Sequence, residues 1–111
     1  APWASVPNQL RSDMSGLVRD VGVVLAGRAR AERNLELARW AANRALVAAP
    51  DDELLLGERL RTEYAAGHLD EVDRIVTRLH RTARALGIDL LPETVDLLQE
   101  VVEGRLRARR A

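Results

Sequence analysis

The residues whose side chains suit catalysis or metal binding are few and scattered. The chain has two histidines, His68 and His80, and no cysteine. Neither histidine has a second ligand at the short spacing that zinc sites use. Asp73 and Thr77 share a helical side with His80, but a solvated face explains this as well as a proton relay does. We expect no metal and no cofactor, with His68 capping a turn and His80 in solvent.

An acidic run, Asp51, Asp52 and Glu53, follows Pro50. Three carboxylates in a row could bind a cation. The positive end of a helix that begins here would favour the same residues, and we prefer this explanation. The sequence also lacks a glycine-rich phosphate loop and the sharp turn of a serine nucleophile. These observations predict a protein that is not an enzyme.

Composition indicates one globular domain over residues 1–111, with 47% apolar and 31% charged residues. The 17 basic and 17 acidic residues cancel, so no bulk field attracts nucleic acid or membrane. No apolar run, such as residues 23–26, comes near the roughly 18 residues of a membrane span. We expect a cytoplasmic fragment of a larger protein, without membrane contact. The basic end, residues 105–110, is interpreted as a solvated terminus rather than a phosphate site.

Apolar residues spaced three and four apart predict an all-α fold. Helices are expected over residues 7–30, 35–48, 52–66 and 69–86, with a fifth from residue 92. The first helix carries an apolar stripe of Leu10, Met14, Leu17, Val21, Val24 and Leu25. The fourth carries Leu69, Val72, Ile75, Val76, Leu79, Ala83 and Leu86. The fifth is expected to bury Val95, Leu98 and Val102 or their neighbours.

Three residues mark the helix boundaries in the second half of the chain. Gly67 and Gly87 suit the left-handed position after a helix, and Pro92 suits the first position of the next one. The segment between Gly87 and Pro92 is therefore a corner between two helices. Its apolar residues are expected to pack beneath the helices, and they are Ile88, Leu90 and Leu91.

The second and fourth predicted helices share one apolar template. Leu35 and Leu69 are 34 residues apart, and the apolar positions after them recur in step. This is the period of tetratricopeptide repeats, which stack antiparallel helical hairpins. We expect two such hairpins and a fifth helix. An irregular five-helix bundle would contain the same helices and remains the alternative.

Three segments together resemble the bacterial transcriptional activator domain of actinobacterial antibiotic regulators. They read PDDELL, YAAGHLDEV and LGIDLLPE, and Trp3 and the long first helix also resemble that family. The matching positions are Glu53, Gly67, Glu71, Leu86, Gly87, Asp89, Pro92 and Glu93. The resemblance implies a tetratricopeptide-like regulatory domain that contacts proteins or itself. It also implies that sequence-specific DNA reading belongs to a domain outside this chain. A helical-repeat scaffold unrelated to transcription is the alternative function.

Trp40 is the residue most indicative of an interaction surface. On a helical wheel it lies opposite the apolar half of its helix, with Val47 on the same side and Arg33, Arg44 and Glu36 around it. A tryptophan flanked by arginines is typical of a protein interface, and Arg44 could stack on the ring. We therefore predict a protein-binding or self-association patch here. A fold in which the segment around Trp3 covers Trp40 is the alternative.

Overall fold

The computed structural model describes residues 7–111, which form five α-helices and no β-strand. The helices are α1 Asn8–Ala31, α2 Leu35–Ala48, α3 Glu53–Ala66, α4 Leu69–Leu86 and α5 Pro92–Arg110. The predicted all-α class is confirmed, and the predicted helices have nearly the same ends. The last helix differs, because it continues to Arg110 instead of fraying through the arginine-rich end.

Local side-chain and backbone chemistry explains where the helices begin and end. The Asn34 side chain accepts a hydrogen bond from the Leu37 amide (3.1 Å), and Asp52 caps α3 in the same way. Gly67 and Gly87 end α3 and α4 with φ angles of 77° and 66°, as predicted. Pro92 is the first residue of α5, as predicted. These boundaries set the lengths of the helices that must then pack together.

Helices α1 and α2 form an antiparallel hairpin whose contact is made of small residues. The Ser15 hydroxyl donates to the Ala48 carbonyl (3.0 Å), while Gly22 lies against Ala45. A β-carbon at Gly22 would lie 2.5 Å from the Ala45 β-carbon, so glycine is required for this approach. The side of α1 that faces α2 and α3 is completed by Ala26 and Ala29, both buried. Small residues therefore place the two helices unusually close together.

The large apolar stripe of α1 lies outside this contact. We expected packing to involve Leu10, Met14, Leu17, Val21, Val24 and Leu25, yet all six side chains are exposed. The packing face of α1 is rotated from the stripe because glycine and alanine allow closer approach than leucine and valine do. In α5 the buried residues are Thr94, Leu97 and Val101, each one position before the expected residue. The prediction allowed for neighbours of the expected residues, and these neighbours are the residues that are buried.

Helix α3 lies at the centre of the molecule and packs against each of the other four helices. Its side chains Leu55, Leu56 and Leu60 are completely or almost completely buried. Around them the core is completed by Val72, Ile75, Leu79, Leu97 and Val101. The order of helix contacts, α1 with α2 and α3 with α4, fits two stacked hairpins followed by a fifth helix.

The 34-residue offset also recurs in the burial pattern. Leu35 and Leu69 begin α2 and α4. Equivalent positions are buried in both helices, in the pairs Ala38 and Val72, Ala41 and Ile75, and Ala45 and Leu79. The second hairpin thus uses larger side chains than the first at the same positions. The corner after α4 differs from expectation, since Leu90 packs against the core while Ile88 and Leu91 are exposed.

Replacement of Gly87 by valine should lower the thermal stability of the protein. The left-handed φ of 66° is strained for a β-branched residue, at a cost of roughly 1–3 kcal/mol. Gly16→Ala is the matched control, because a β-carbon there meets no backbone and alanine favours a helix. Gly104 does not serve as a control, because a β-carbon there would overlap the Tyr64 hydroxyl. Equal melting temperatures for Gly87→Val and wild type would contradict this account of the corner.

Truncation of Leu79 to alanine should destabilise the protein by roughly 2–5 kcal/mol, because it opens a cavity in the core. Its side chain is buried among the core residues. Arg81→Ala, two residues further along the same helix, should change the free energy of unfolding by less than about 0.5 kcal/mol, because Arg81 is exposed. Urea unfolding of both variants measures the difference. Similar losses in the two variants would mean that α4 is rotated from the observed orientation.

Candidate interaction surface

The acidic run before α3 is explained by contacts within the chain. Asp51 forms an ion pair with Arg78 (2.6 Å), and Asp52 caps α3. The Glu53 carboxylate accepts a hydrogen bond from the Leu91 amide (2.7 Å), which ties the α4–α5 corner to the start of α3. Within residues 7–111 no group of three or more histidine or acidic residues is arranged to hold a metal ion.

The two histidines differ in their surroundings. His80 is exposed on α4, as expected. His68 occupies the position before α4, but its side chain makes no capping hydrogen bond, so the expected capping role is wrong. Its Nδ1 atom lies 2.9 Å from Oε1 of Glu63 instead. Because an ionised carboxylate can only accept, this nitrogen carries the hydrogen.

Glu63 is the most unusual polar residue in the described part of the chain. Its side chain is 1% exposed. Arg39 of α2 donates two hydrogen bonds, from Nε to Oε2 and from Nη2 to Oε1, each 2.7 Å long. Arg59 donates to Oε2 from one turn earlier in α3, at 3.0 Å and 3.2 Å. The carboxylate is therefore bound by side chains from α2, from α3 and from the junction before α4.

The partners of Glu63 keep its carboxyl group ionised near neutral pH. Burial by itself raises the pKa of the carboxyl group. The hydrogen bonds from Arg39 and His68 and the charges of Arg39 and Arg59 outweigh burial and lower the pKa to about 2. A general acid or base needs a pKa near the working pH. Glu63 is therefore charged near neutral pH, and its contacts link α2, α3 and the junction before α4.

A signal for this cluster was present in the sequence. Glu63 follows Leu56 by seven residues and Leu60 by three, so it lies on the apolar side of α3. It also stands where tetratricopeptide repeats commonly have an apolar residue. A charged residue in such a position indicates a buried ion pair. Arg39 could not have been named as its partner from the sequence, because the two are 24 residues apart and on different helices.

The large exposed apolar side chains of α1 and α2 lie on two helices that pack together, and we call them the α1–α2 face. This face consists of Leu10, Met14, Leu17, Val21, Val24, Leu25, Leu37, Trp40 and Val47. A groove of about 360 Å³ runs through it, between Leu17, Val21 and Leu25 on one side and Trp40 and Arg44 on the other. From Leu10 to Leu25 the stripe of α1 extends about 22 Å along the helix.

The predicted patch around Trp40 belongs to this face. Trp40 is 58% exposed and Val47 is 74% exposed. Arg44 lines the groove beside Trp40, while Arg33 is exposed in the turn between α1 and α2, with a positive φ. The alternative, in which the segment around Trp3 covers Trp40, concerns residues outside the described ones. The sequence reasoning missed the α1 half of the face, because it assigned those side chains to packing.

Charges of both signs border the α1–α2 face, and they are the carboxylates of Asp13, Asp20 and Glu36 and the arginines Arg28, Arg33 and Arg44. Arg28 follows Val24 by four residues and so continues the stripe of α1. Arg33 and Arg44 border the face on the side of α2. Within residues 7–111 none of these three arginines forms an ion pair or a side-chain hydrogen bond. We call Arg28, Arg33 and Arg44 the basic rim.

The arginine-rich end of the chain does not form a comparable site. Arg105 forms an ion pair with Asp73 of α4, so one of the arginine charges at this end is already neutralised. The others, Arg107, Arg109 and Arg110, are exposed around the last turns of α5. Among the helices of residues 7–111, none combines the length and the apolar character required to cross a bilayer.

Comparisons of the chain with protein-family models, with curated proteins and with solved structures gave no match. The resemblance to the actinobacterial activator domain therefore remains a prediction. What can be argued about function rests on the geometry of the α1–α2 face and of the buried cluster.

Replacement of Glu63 by glutamine should destabilise the protein by roughly 3–5 kcal/mol near neutral pH, because two buried arginine contacts lose their counter-charge. The folded-state pKa is depressed from 4.5 to about 2, so the ionised carboxylate stabilises the fold above about pH 4.5. This contribution, about 3 kcal/mol, should be lost from the wild type as the pH falls from about 4.5 to about 2.

The measurement is urea unfolding of the wild type and Glu63→Gln across this pH range. The difference in the free energy of unfolding should shrink as the pH falls. Glu32→Gln is the control, since Glu32 is exposed and has no ion pair within residues 7–111. A constant difference between wild type and Glu63→Gln from neutral pH to pH 2 would contradict the assigned pKa.

Proposed function

We propose that this chain is a non-enzymatic domain that binds a protein, or a second copy of itself, through the α1–α2 face. The observation that carries the proposal is the exposure of nine large apolar side chains on two adjoining helices. Soluble monomers rarely expose contiguous apolar patches beyond a few hundred Å². A tryptophan beside an arginine in a groove is also the composition that dominates binding energy in protein interfaces.

The size of the face suits a specific interface. Burial energies imply roughly 100 Å² of apolar surface for each large side chain. With about half of each side chain exposed, the face presents on the order of 450 Å² of apolar surface. Interfaces are about 60% apolar, so a patch of this kind corresponds to roughly 750 Å² on each partner. That is close to the roughly 800 Å² that a standard stable interface buries on each partner.

We further propose that the parent protein is a bacterial transcriptional regulator. This part is supported by the resemblance of the helix boundaries at Glu53, Gly67, Gly87 and Pro92 to those of the activator domain family. It assigns no sequence-specific DNA reading to this chain, whose 17 basic and 17 acidic residues leave no net positive charge. The alternative, a helical-repeat scaffold unrelated to transcription, is favoured by the recurring 34-residue burial pattern alone.

Photo-cross-linking in cells that express the native protein tests the proposal. A photoreactive residue in place of Val47 should give a defined protein adduct, because this side chain is the most exposed on the face. The same residue in place of His80, on α4, is the control. Val21→Glu should abolish the adduct without unfolding the protein, because Val21 is 50% exposed. An adduct at position 47 no stronger than at position 80, or one insensitive to Val21→Glu, would contradict the proposal.

Transcript profiles of the same strains separate the regulatory function from the scaffold function. We expect Val21→Glu to change the levels of a defined set of transcripts, and His80→Glu to leave them unchanged. Loss of the cross-linked adduct with unchanged transcripts would favour the scaffold.

A further inference from the structure

The exposed stripe of α1 has the residue spacing of a coiled-coil seam, in which intervals of three and four residues alternate. Five large apolar residues and one arginine follow one another at intervals of four, three, four, three and four, and all six are exposed. We call them the α1 seam, and they are Leu10, Met14, Leu17, Val21, Val24 and Arg28. The seam lies roughly 130° around α1 from Gly22 and Ala26, which face the rest of the fold. A second helix can therefore lie along it.

The intervals of the α1 seam are the same in both directions, so the seam can pair with itself when a second copy lies antiparallel. The midpoint of residues 10 and 28 is residue 19, which places the centre of such a pairing there. The pairing joins Leu10 with Arg28, Met14 with Val24, and Leu17 with Val21 of the second copy. Each central layer then combines a methionine or a leucine with a valine. A contact of this kind uses the same surface on both copies and closes as a dimer.

The charges at the two ends of the seam favour the antiparallel arrangement over a parallel one. Asp13 borders the first turn of the seam, and Arg28, a member of the basic rim, ends it. Both residues are exposed, and neither forms an ion pair among residues 7–111. A parallel pairing would bring Arg28 against Arg28 of the second copy, which is unfavourable. A single charged residue at a seam position is also the feature that fixes the register of coiled coils.

The antiparallel pairing brings Arg28 to Asp13 instead. Arg28 of one copy then lies at the level of Leu10 of the other, about 4.5 Å along the axis from the level of Asp13. Side chains tilt towards the N-terminus of their own helix, so in antiparallel helices Arg28 and Asp13 lean towards each other. The symmetry of the dimer makes this contact twice, once at each end of the seam.

The other charges that border the α1–α2 face are compatible with this pairing. The two Asp20 side chains come near the centre, where like charges repel. Arg19 forms an ion pair with Asp20 within each copy (3.0 Å), and the Asp20 side chain is 65% exposed, so solvent and Arg19 reduce the repulsion. On α2, Glu36 and Arg44 stand four residues on either side of Trp40 and add no net charge to the contact.

We propose that two copies of this chain form a closed dimer through antiparallel contact of their α1 seams. The two-fold axis is perpendicular to the plane of the two α1 helices, so α2 of both copies lies on the same side of the pair. The exposed residues of α2, such as Trp40, therefore extend the contact. The α1–α2 face of roughly 750 Å² on each copy is close to the roughly 800 Å² of a stable interface. This inference rests on the proposed function and names the occupant of its surface.

Sedimentation equilibrium at increasing protein concentration tests whether the dimer forms. The wild type should reach twice the monomer mass and grow no further. Val21→Glu places a charge in the centre of the seam and should weaken dimerisation at least about tenfold. Val21 is 50% exposed, so the variant should fold like the wild type, as far-ultraviolet circular dichroism can check. His80→Glu, on the exposed side of α4, is the control and should dimerise like the wild type.

Charge reversal tests the contact between Arg28 and Asp13. Asp13→Arg and Arg28→Asp each place like charges at both ends of the seam, so each variant alone should dimerise roughly tenfold more weakly at low salt. An equimolar mixture of the two variants forms a heterodimer in which every end contact joins opposite charges. Its affinity should therefore lie within about threefold of the wild type. Glu103→Arg, an equal change of charge on exposed α5, is the control.

Introduced cysteines test the direction of the helices, because the chain has no cysteine of its own. In the antiparallel pairing Met14 lies opposite Val24 of the second copy, while the two Met14 residues are about 15 Å apart along the axis. A disulfide requires α-carbons within about 7 Å of each other. A mixture of Met14→Cys and Val24→Cys should therefore form a disulfide-linked dimer under oxidising conditions, and Met14→Cys alone should not.

Several results would overturn the antiparallel dimer. They are a wild type that stays monomeric or grows beyond a dimer, a Val21→Glu variant that dimerises like the wild type, charge variants that associate no more tightly in mixture than alone, and disulfide formation by Met14→Cys alone. A monomeric wild type that gives an adduct between position 47 and a different protein in cells would uphold the proposed function and remove only this inference. A monomeric wild type without any such adduct would remove both.

Discussion

The fold depends on one buried carboxylate. Glu63 is charged and almost completely removed from water, a state that is strongly unfavourable unless partners replace the lost hydration. Its partners come from α2, α3 and the junction before α4, so the charge is satisfied only when these three elements are correctly placed. Arg59 extends the cluster to Asn43 and Glu71. The need to neutralise the Glu63 carboxylate therefore constrains how α2 lies against α3 and where α4 begins.

Small residues supply the second constraint. The close approach of α1 to α2 at Gly22 and Ala45 leaves no room for large side chains on that side of α1. The leucines and valines of the α1 stripe are consequently directed outward, where they contribute little to the stability of the monomer, whereas Val18 and Val23 pack against the core. Stability comes from the alanine-rich contact, the leucine core around α3 and the Glu63 cluster. The side chains best suited to binding a partner are therefore the ones that contribute little to the stability of the fold.

This division explains which features could be predicted from the sequence. Helix ends depend on local chemistry, such as the caps at Asn34 and Asp52 and the left-handed glycines, and they were predictable. The buried side of α1 was not, because two sides of that helix are apolar and the less hydrophobic one is buried. Hydrophobicity alone predicts that Leu17 and Val21 are buried. Close packing of α1 against α2 buries Gly22 and Ala26 instead. In α4, where large side chains occupy one side only, the middle of the predicted stripe was correct, since Val72, Ile75, Leu79 and Ala83 are buried. Leu69 and Leu86, at the two ends of the stripe, are exposed instead.

The charged residues can also be divided into those that stabilise the fold and those that have no partner within it. A net charge of zero suggests a featureless electrostatic surface, yet the charges are sorted by position. Most of the ion pairs connect one helix with another helix or with a turn, such as Arg30 with Glu58 and Arg78 with Asp51. The charges without partners among the described residues include Arg28, Arg33 and Arg44 near the α1–α2 face and the exposed carboxylates Asp96, Glu100 and Glu103 of α5. Charges used for folding therefore cancel locally, while those left over, of both signs, remain on the outside of the stack. In a stack of hairpins the end helices each lack a neighbour on one side, so their exposed apolar and charged side chains are the ones available for contact with another molecule.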